Sequence, residues 1–214
     1  MNPTYQFEWS HASKNADHPI NLVLIKAANK NDAAGVIKAL KYGANVDARE
    51  KLTNRTTLHI AASNGFEGIL RAIFPFRPSL QAQDKDGNFA VNLAAAHGHL
   101  ECVKLLIREG SLPFIGNKMF KNPLILAAEK GHFEVVEYLL SHKIRLLHQL
   151  NKMNESELTL ASKNGHIEVV RLLLERADPN LERQTELNEA LRVALNEGQL
   201  EVVELLVAAG ANIP

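Results

Sequence analysis

The sequence predicts an all-α solenoid of six stacked helix–loop–helix copies, with short turn fingers between them. Three observations carry this. A tight polar turn recurs at Asn31, Gly65, Gly98, Gly131, Gly165 and Gly198, in steps of 34, 33, 33, 34 and 33 residues. A small, apolar, helix-forming run precedes each turn and a second follows it. Neither run can bury its apolar face alone, so neighbouring copies must stack. Such a stack has a continuous core and a long surface rather than one cleft, and long surfaces suit the binding of other macromolecules.

The copies are read as residues 17–50, 51–83, 84–116, 117–150, 151–183 and 184–214, which together make one domain from 17 to 214. The first copy sets Lys26, Lys30 and Lys38 among its apolar residues, which suits the polar outer side of a terminal copy. In the second, Pro75 and Pro78 fall where its second helix should finish, so that helix is expected to stop near Phe74. The third is the best preserved. Asp84-Lys85-Asp86-Gly87-Asn88 is a turn sequence, Phe89 to His97 a short helix, and Leu100 to Arg108 a second helix. The fourth has Lys143 where a closing glycine is expected, and one extra residue before Asn151. The sixth has a more polar first helix around Asn188 to Arg192 and an apolar second one from Val202 to Val207.

Residues 1–16 stand apart. Tyr5, Phe7 and Trp9 are aromatic at every second position. A strand-like strip capping the first copy, a mobile tail and a partner-binding peptide all fit that pattern. The chain stops at Pro214 where a further copy would begin. A natural end and a domain cut from a longer protein both fit.

Composition narrows the function. Lys plus Arg and Asp plus Glu both number 24, so the net charge is zero. That argues against a protein whose main task is gripping nucleic acid or an anionic membrane. Cys102 is the single cysteine, so no intrachain disulfide can form, which fits a reducing, cytoplasmic compartment. Residues 1–10 have neither the basic start nor the apolar run of a signal peptide. No stretch approaches the roughly 18 apolar residues of a membrane span, and no membrane insertion is expected. The two sequons, at Asn54 and Asn154, are read as chance.

The unit resembles an ankyrin repeat: a β-turn, a helix of the T-P-L-H-x-A-A type, then G-H-x-E-V-V-x-L-L-L and a closing G-A. The first-helix motif is matched by Thr56-Thr57-Leu58-His59-Ile60-Ala61-Ala62 and by Asn122-Pro123-Leu124-Ile125-Leu126-Ala127-Ala128. The second is matched by Gly131 to Leu140 and by Gly165 to Leu174, and the closing motif by Gly43-Ala44 and Gly210-Ala211. The T-P-L-H helix is weak outside the second copy, so the array is degenerate. The resemblance implies an ankyrin-repeat solenoid, a protein partner, no catalysis and no cofactor.

Candidates for chemistry have simpler readings. Cys102 lies in an apolar stripe where the family has Val or Ile, and reads as a buried hydrophobe rather than a nucleophile. His99, His132 and His166 follow the loop glycines, and the resemblance implies that they bind loop backbone. His59 is the histidine of the T-P-L-H motif and is implied to tie adjacent repeats together. His97-Gly98-His99 lacks the helical spacing and the further ligands of a metal site, so no metal is expected.

In ankyrin-like arrays partners lie on the turn tips and on the exposed side of the first helices. Position by position this implies Leu52, Thr53, Arg55, Ser63 and Asn64 in copy two, and Lys85, Asp86, Asn88, Ala96 and His97 in copy three. Copy four adds Lys118, Met119, Lys121, Glu129 and Lys130, and copy five Lys152, Met153, Glu155, Lys163 and Asn164. These include six Lys and one Arg against three acids, whereas Glu134, Glu137, Glu201 and Glu204 fall on second helices. A basic inner face and a more acidic back are therefore expected, with an acidic protein as partner of a monomeric chain. Met119, Phe120 and Met153 are apolar residues on tips that should face water, and surface Met marks adaptable binding sites. The alternative for Phe120 is a ring tucked against the neighbouring turn. A host-cell adaptor and a bacterial protein delivered into another cell both fit; Asn, Lys and His usage leans to the second. The competing class is a substrate-recruiting module of a larger enzyme.

Overall fold

A computed structural model describes residues 18–141, 150–176 and 183–212. Residues 1–16, Lys143 and the extra residue before Asn151 lie outside the described residues. Twelve α-helices run in pairs along the described chain: α1 (Pro19–Asn29) with α2 (Ala33–Lys41), α3 (Thr57–Asn64) with α4 (Glu67–Ile73), and α5 (Ala90–Ala96) with α6 (Leu100–Arg108). Then come α7 (Pro123–Lys130) with α8 (Phe133–Ser141), α9 (Glu157–Lys163) with α10 (Ile167–Arg176), and α11 (Arg183–Asn196) with α12 (Leu200–Ala208). First helices pack on first helices and second on second, from one pair to the next. The described residues hold no strand, only an isolated antiparallel bridge between Arg49 and Thr56.

The period comes from a repeated local geometry. All six turn residues adopt the left-handed conformation, from φ 56° at Asn31 to φ 75° at Gly131. Glycine takes it freely, and asparagine is the side chain that tolerates it best. The turn glycines also seat the next copy. A Cβ on Gly98 would lie 2.5 Å from Nδ1 of His132, whose Nε2–H donates to the carbonyl of Ala96 at 3.0 Å. His99 bonds Ser63 O at 3.2 Å and His166 bonds Glu129 O at 3.0 Å in the same way. In the last pair Gln199 replaces the histidine and reaches Lys163 O at 3.5 Å.

Helix starts are capped where the sequence offers a short polar side chain. Asp32 accepts from Gly35 N–H at 2.8 Å and Asn122 from Ile125 N–H at 2.9 Å. First helices approach closely because their inner faces are alanine: Ala61, Ala94, Ala127, Ala161 and Ala194 recur at the period and are fully buried. Second helices fill the space behind them with Ile69, Leu70, Val103, Leu106, Val136, Leu139 and Val170.

α4 ends at Ile73, and Phe74–Phe76 continue as a single 3-10 turn around Pro75. The proline lacks the N–H that another α-helical turn would need. One departure concerns the sixth copy. Residues 183–188 align with the finger at 83–88, yet they are helix. Leu187 stands where Gly87 turns the finger, and Arg183-Gln184-Thr185-Glu186 offers no turn residue, so the segment coils and buries Leu187.

Candidate partner-binding face

The fingers of copies three, four and five are each organised by one side chain. The carboxylate of Asp84 accepts from the backbone N–H of Asp86 and of Asn88, each at 2.9 Å. Asn117 does the same for Met119 and Lys121, at 2.9 and 3.1 Å. Asn151 does so for Met153 and Glu155, at 2.8 and 3.0 Å. The fingers are also tied together. Lys85 N–H donates to Thr53 O at 2.9 Å, Lys118 N–H to Asp86 O at 3.2 Å, and Lys152 N–H to Met119 O at 3.0 Å. Three lysines thus spend their backbone on finger-to-finger bonds and leave their side chains exposed.

The expected contact positions divide into two groups. Leu52 is 86 % exposed, Met153 61 % and Phe120 59 %, with Met119 also exposed. Asn64, Lys85, Asp86, His97, Lys118, Lys130 and Lys152 are exposed beside them. Asn88 is not available: it is buried, donates its amide to both Asp84 carboxylate oxygens at 3.2 Å and accepts from Asn117 at 2.8 Å. Its place after Gly87 makes it a brace within the finger, which corrects its reading as a contact residue. Ser63 is likewise buried. The Lys121 side chain is only 15 % exposed and bonds Glu129 at 2.6 Å. Lys163 pairs with Glu155 at 3.4 Å, Lys130 approaches Glu129 at 3.9 Å and Arg55 approaches Asp84 at 3.5 Å. Local pairing therefore compensates much of the basic charge counted from the sequence, and Lys85, Lys118 and Lys152 carry it at the tips.

Phe120 does not bury itself against the next turn. Its ring stays open to solvent while Lys152 Nζ lies 5.1 Å from the ring centroid. Its φ is 59°, in the left-handed region. Behind the face, Glu134, Glu137, Glu201 and Glu204 are exposed, but Lys104, Arg108 and Arg171 share that side, so the back is mixed.

Histidine chemistry is consumed by structure. His59 Nδ1 accepts from Thr56 N–H at 3.2 Å and its Nε2–H donates to Asn88 O at 3.1 Å. Burial lowers its pKa, against the opposing effects of the Asn88 carbonyl and the Asp84 carboxylate. His97 and His99 stack at 6.1 Å, and burial lowers the pKa of His99. Cys102 is buried, and desolvation pushes its thiol up to about 12. Among the described residues no three His, Cys, Asp or Glu side chains gather as metal ligands. No described helix is long and apolar enough to cross a membrane.

Asn92 was missed in the sequence. It stands in copy three where His59 stands in copy two. Its Oδ1 accepts from Phe89 N–H at 3.0 Å, and its Nδ2 donates to Lys121 O and Ile115 O, each at 3.2 Å. Register with His59 was the available signal, since the two lie 33 residues apart.

A family model for ankyrin repeats, three copies at a time, matches residues 24–114, 67–149, 107–183 and 144–214. The chain belongs to the ankyrin repeat family. It is 36% identical over 89 residues to the ankyrin repeat and KH domain-containing protein mask-1 of Caenorhabditis elegans, covering 42% of this chain and 3% of that protein. It is 32% identical over 88 residues to the ankyrin repeat and SOCS box protein 3 of Bos taurus, covering 40% of this chain and 17% of that one. The chain therefore aligns with only a small part of each relative. Ankyrin repeats generally mediate protein–protein interaction and are typically non-catalytic modules.

Proposed function

We propose that this chain is a non-catalytic scaffold that holds a protein partner on its concave face. The site centres on the tips at Lys118-Met119-Phe120-Lys121 and Lys152-Met153. The observation that carries the reading is the cluster of exposed apolar side chains, Met119, Phe120 and Met153, on fingers tied by backbone bonds and flanked by Lys118 and Lys152. A few apolar or aromatic anchors dominate most interfaces. The flanking lysines favour an acidic partner and speed its approach. A buried, inert thiol suits work in a reducing cytosol, whether as a resident adaptor or as a protein delivered there from another cell. The relatives bear names that include a KH domain and a SOCS box beside the repeats. That favours a second reading, in which the array recruits a protein to chemistry done by another segment.

Affinity capture with mass spectrometry, comparing wild type with a tip variant, identifies the partner. Met119→Ala with Met153→Ala then weakens binding by about 1–4 kcal/mol. Lys118→Glu with Lys152→Glu slows association and flattens its salt dependence. Wild-type binding by both double variants, with loss on Glu134→Lys, would place the partner on the other face.

A further inference from the structure

Phe120 occupies a backbone conformation that its side chain makes costly. At the corresponding place in the other fingers stand Asn54 at φ 59°, Gly87 at φ 78° and Asn154 at φ 63°. Those residue types enter the left-handed region readily, and a bulky aromatic residue there is an outlier. The finger's own backbone holds the turn, with Phe120 N–H donating to Asn117 O at 2.8 Å and Asn117 Oδ1 accepting from Met119 and Lys121 on either side, but the phenylalanine side chain adds little to it. The residue is 59 % exposed, so it contributes little to the core, and its ring meets the Lys152 ammonium at 5.1 Å, a weak contact at an exposed site. Strain that persists at an exposed position points toward a ligand.

We propose that Phe120 is the specificity-determining anchor of this face, held in a strained turn so that its ring projects beyond the fingers. The inference rests on the concave-face reading above and narrows the partner to a folded protein surface with an apolar socket rimmed by carboxylates. Two features define that chemistry. Met119, next to Phe120 in the chain, and Met153, next to Lys152, add exposed, adaptable apolar side chains to the same two fingers, which calls for an apolar counterpart. Lys152 sets its ammonium over the ring, 5.1 Å from the centroid, and the exposed Lys118 lies on the same finger as Phe120 with its Nζ on Lys85 O at 2.6 Å, which calls for acids at the rim. The wild-type residue therefore exchanges stability of the array for recognition, and glycine would reverse that exchange.

The test uses the full chain and a display library of a small three-helix scaffold randomised on one face. Clones selected on wild type are expected to be rich in apolar residues and Asp or Glu, and to bind Phe120→Ala and Phe120→Gly at least about tenfold more weakly. Phe120→Gly is expected to melt above wild type and about 2–6 °C above Phe120→Ala, because alanine keeps the strain and glycine relieves it. Equal melting of the glycine and alanine variants overturns the strain argument. Clones that ignore position 120 but lose binding on Met119→Ala with Met153→Ala overturn the anchor while leaving the face in place. Clones lost only on Glu134→Lys overturn both.

Discussion

His59 and Asn92 offer a test of how adjacent copies are held together, because the chain itself contains the substitution. Both bridge one copy to the next, His59 through Asn88 O and Asn92 through Lys121 O. Both also accept from the N–H that begins their own helix. His59→Leu removes the bonds to Thr56 N–H, Thr56 Oγ1 and Asn88 O and strands the fully buried Thr56 N–H. With about 1 kcal/mol for each of the bonds to Thr56 Oγ1 and Asn88 O and about 1–3 kcal/mol for the orphaned Thr56 N–H, the loss is about 3–5 kcal/mol. His59→Asn keeps an acceptor and a donor in the places Asn92 uses, so the loss is about 1–2 kcal/mol.

The pH dependence separates the two further. Burial lowers the His59 pKa, so the native ring stays neutral where the unfolded ring takes a proton. Stability from this group is complete above about pH 6.5, the ordinary value, and falls as pH drops toward the lowered native value. The slope reaches at most about 1.4 kcal/mol per pH unit for one proton. His99, whose pKa burial also lowers, contributes equally to wild type and variant and cancels. Urea denaturation at pH 7.5 and 5.5 should thus show wild type losing more stability on acidification than His59→Asn. Equal losses on acidification, or His59→Asn as unstable as His59→Leu, would refute the reasoning.

Two further outcomes are expected. Cys102, whose thiol burial pushes up to about 12, should react with thiol reagents far more slowly than a free thiol in the native protein, and Cys102→Val should keep the fold; prompt native-state labelling counts against this. In native-state hydrogen exchange, residues 66 to 80, where α4 is seven residues long and gives way to the Pro75 turn, should open before residues 132 to 140 in the nine-residue α8, and the reverse order would contradict a weak second copy.

Much of the architecture was legible because a repeat writes its own local geometry into the sequence again and again. Gly98 marks a left-handed turn by residue type alone, and Asn31 matches it by register. The end of α4 near Phe74 follows from proline chemistry. His132 and His166 could be assigned through the family pattern. The helical residues 183–188 were less legible, because the period argued for a finger while Leu187, in place of a glycine, decided for helix.

The candidate face was legible only as a set of positions. That Met119, Phe120 and Met153 sit on tips follows from counting along the period. That Asn88 is a brace, that Lys121 is held by Glu129, and that Phe120 adopts φ 59° with Lys152 over its ring do not follow from it. The sequence by itself determined the period, the helix pairs and the alanine spine, since these rest on backbone preferences and contacts that recur in every copy. Only the tertiary structure decided which polar side chains turn inward to finger and loop atoms about 30 residues away and which remain open to a partner. That choice depends on the distances between side-chain atoms of neighbouring copies, which residue types and spacing leave open.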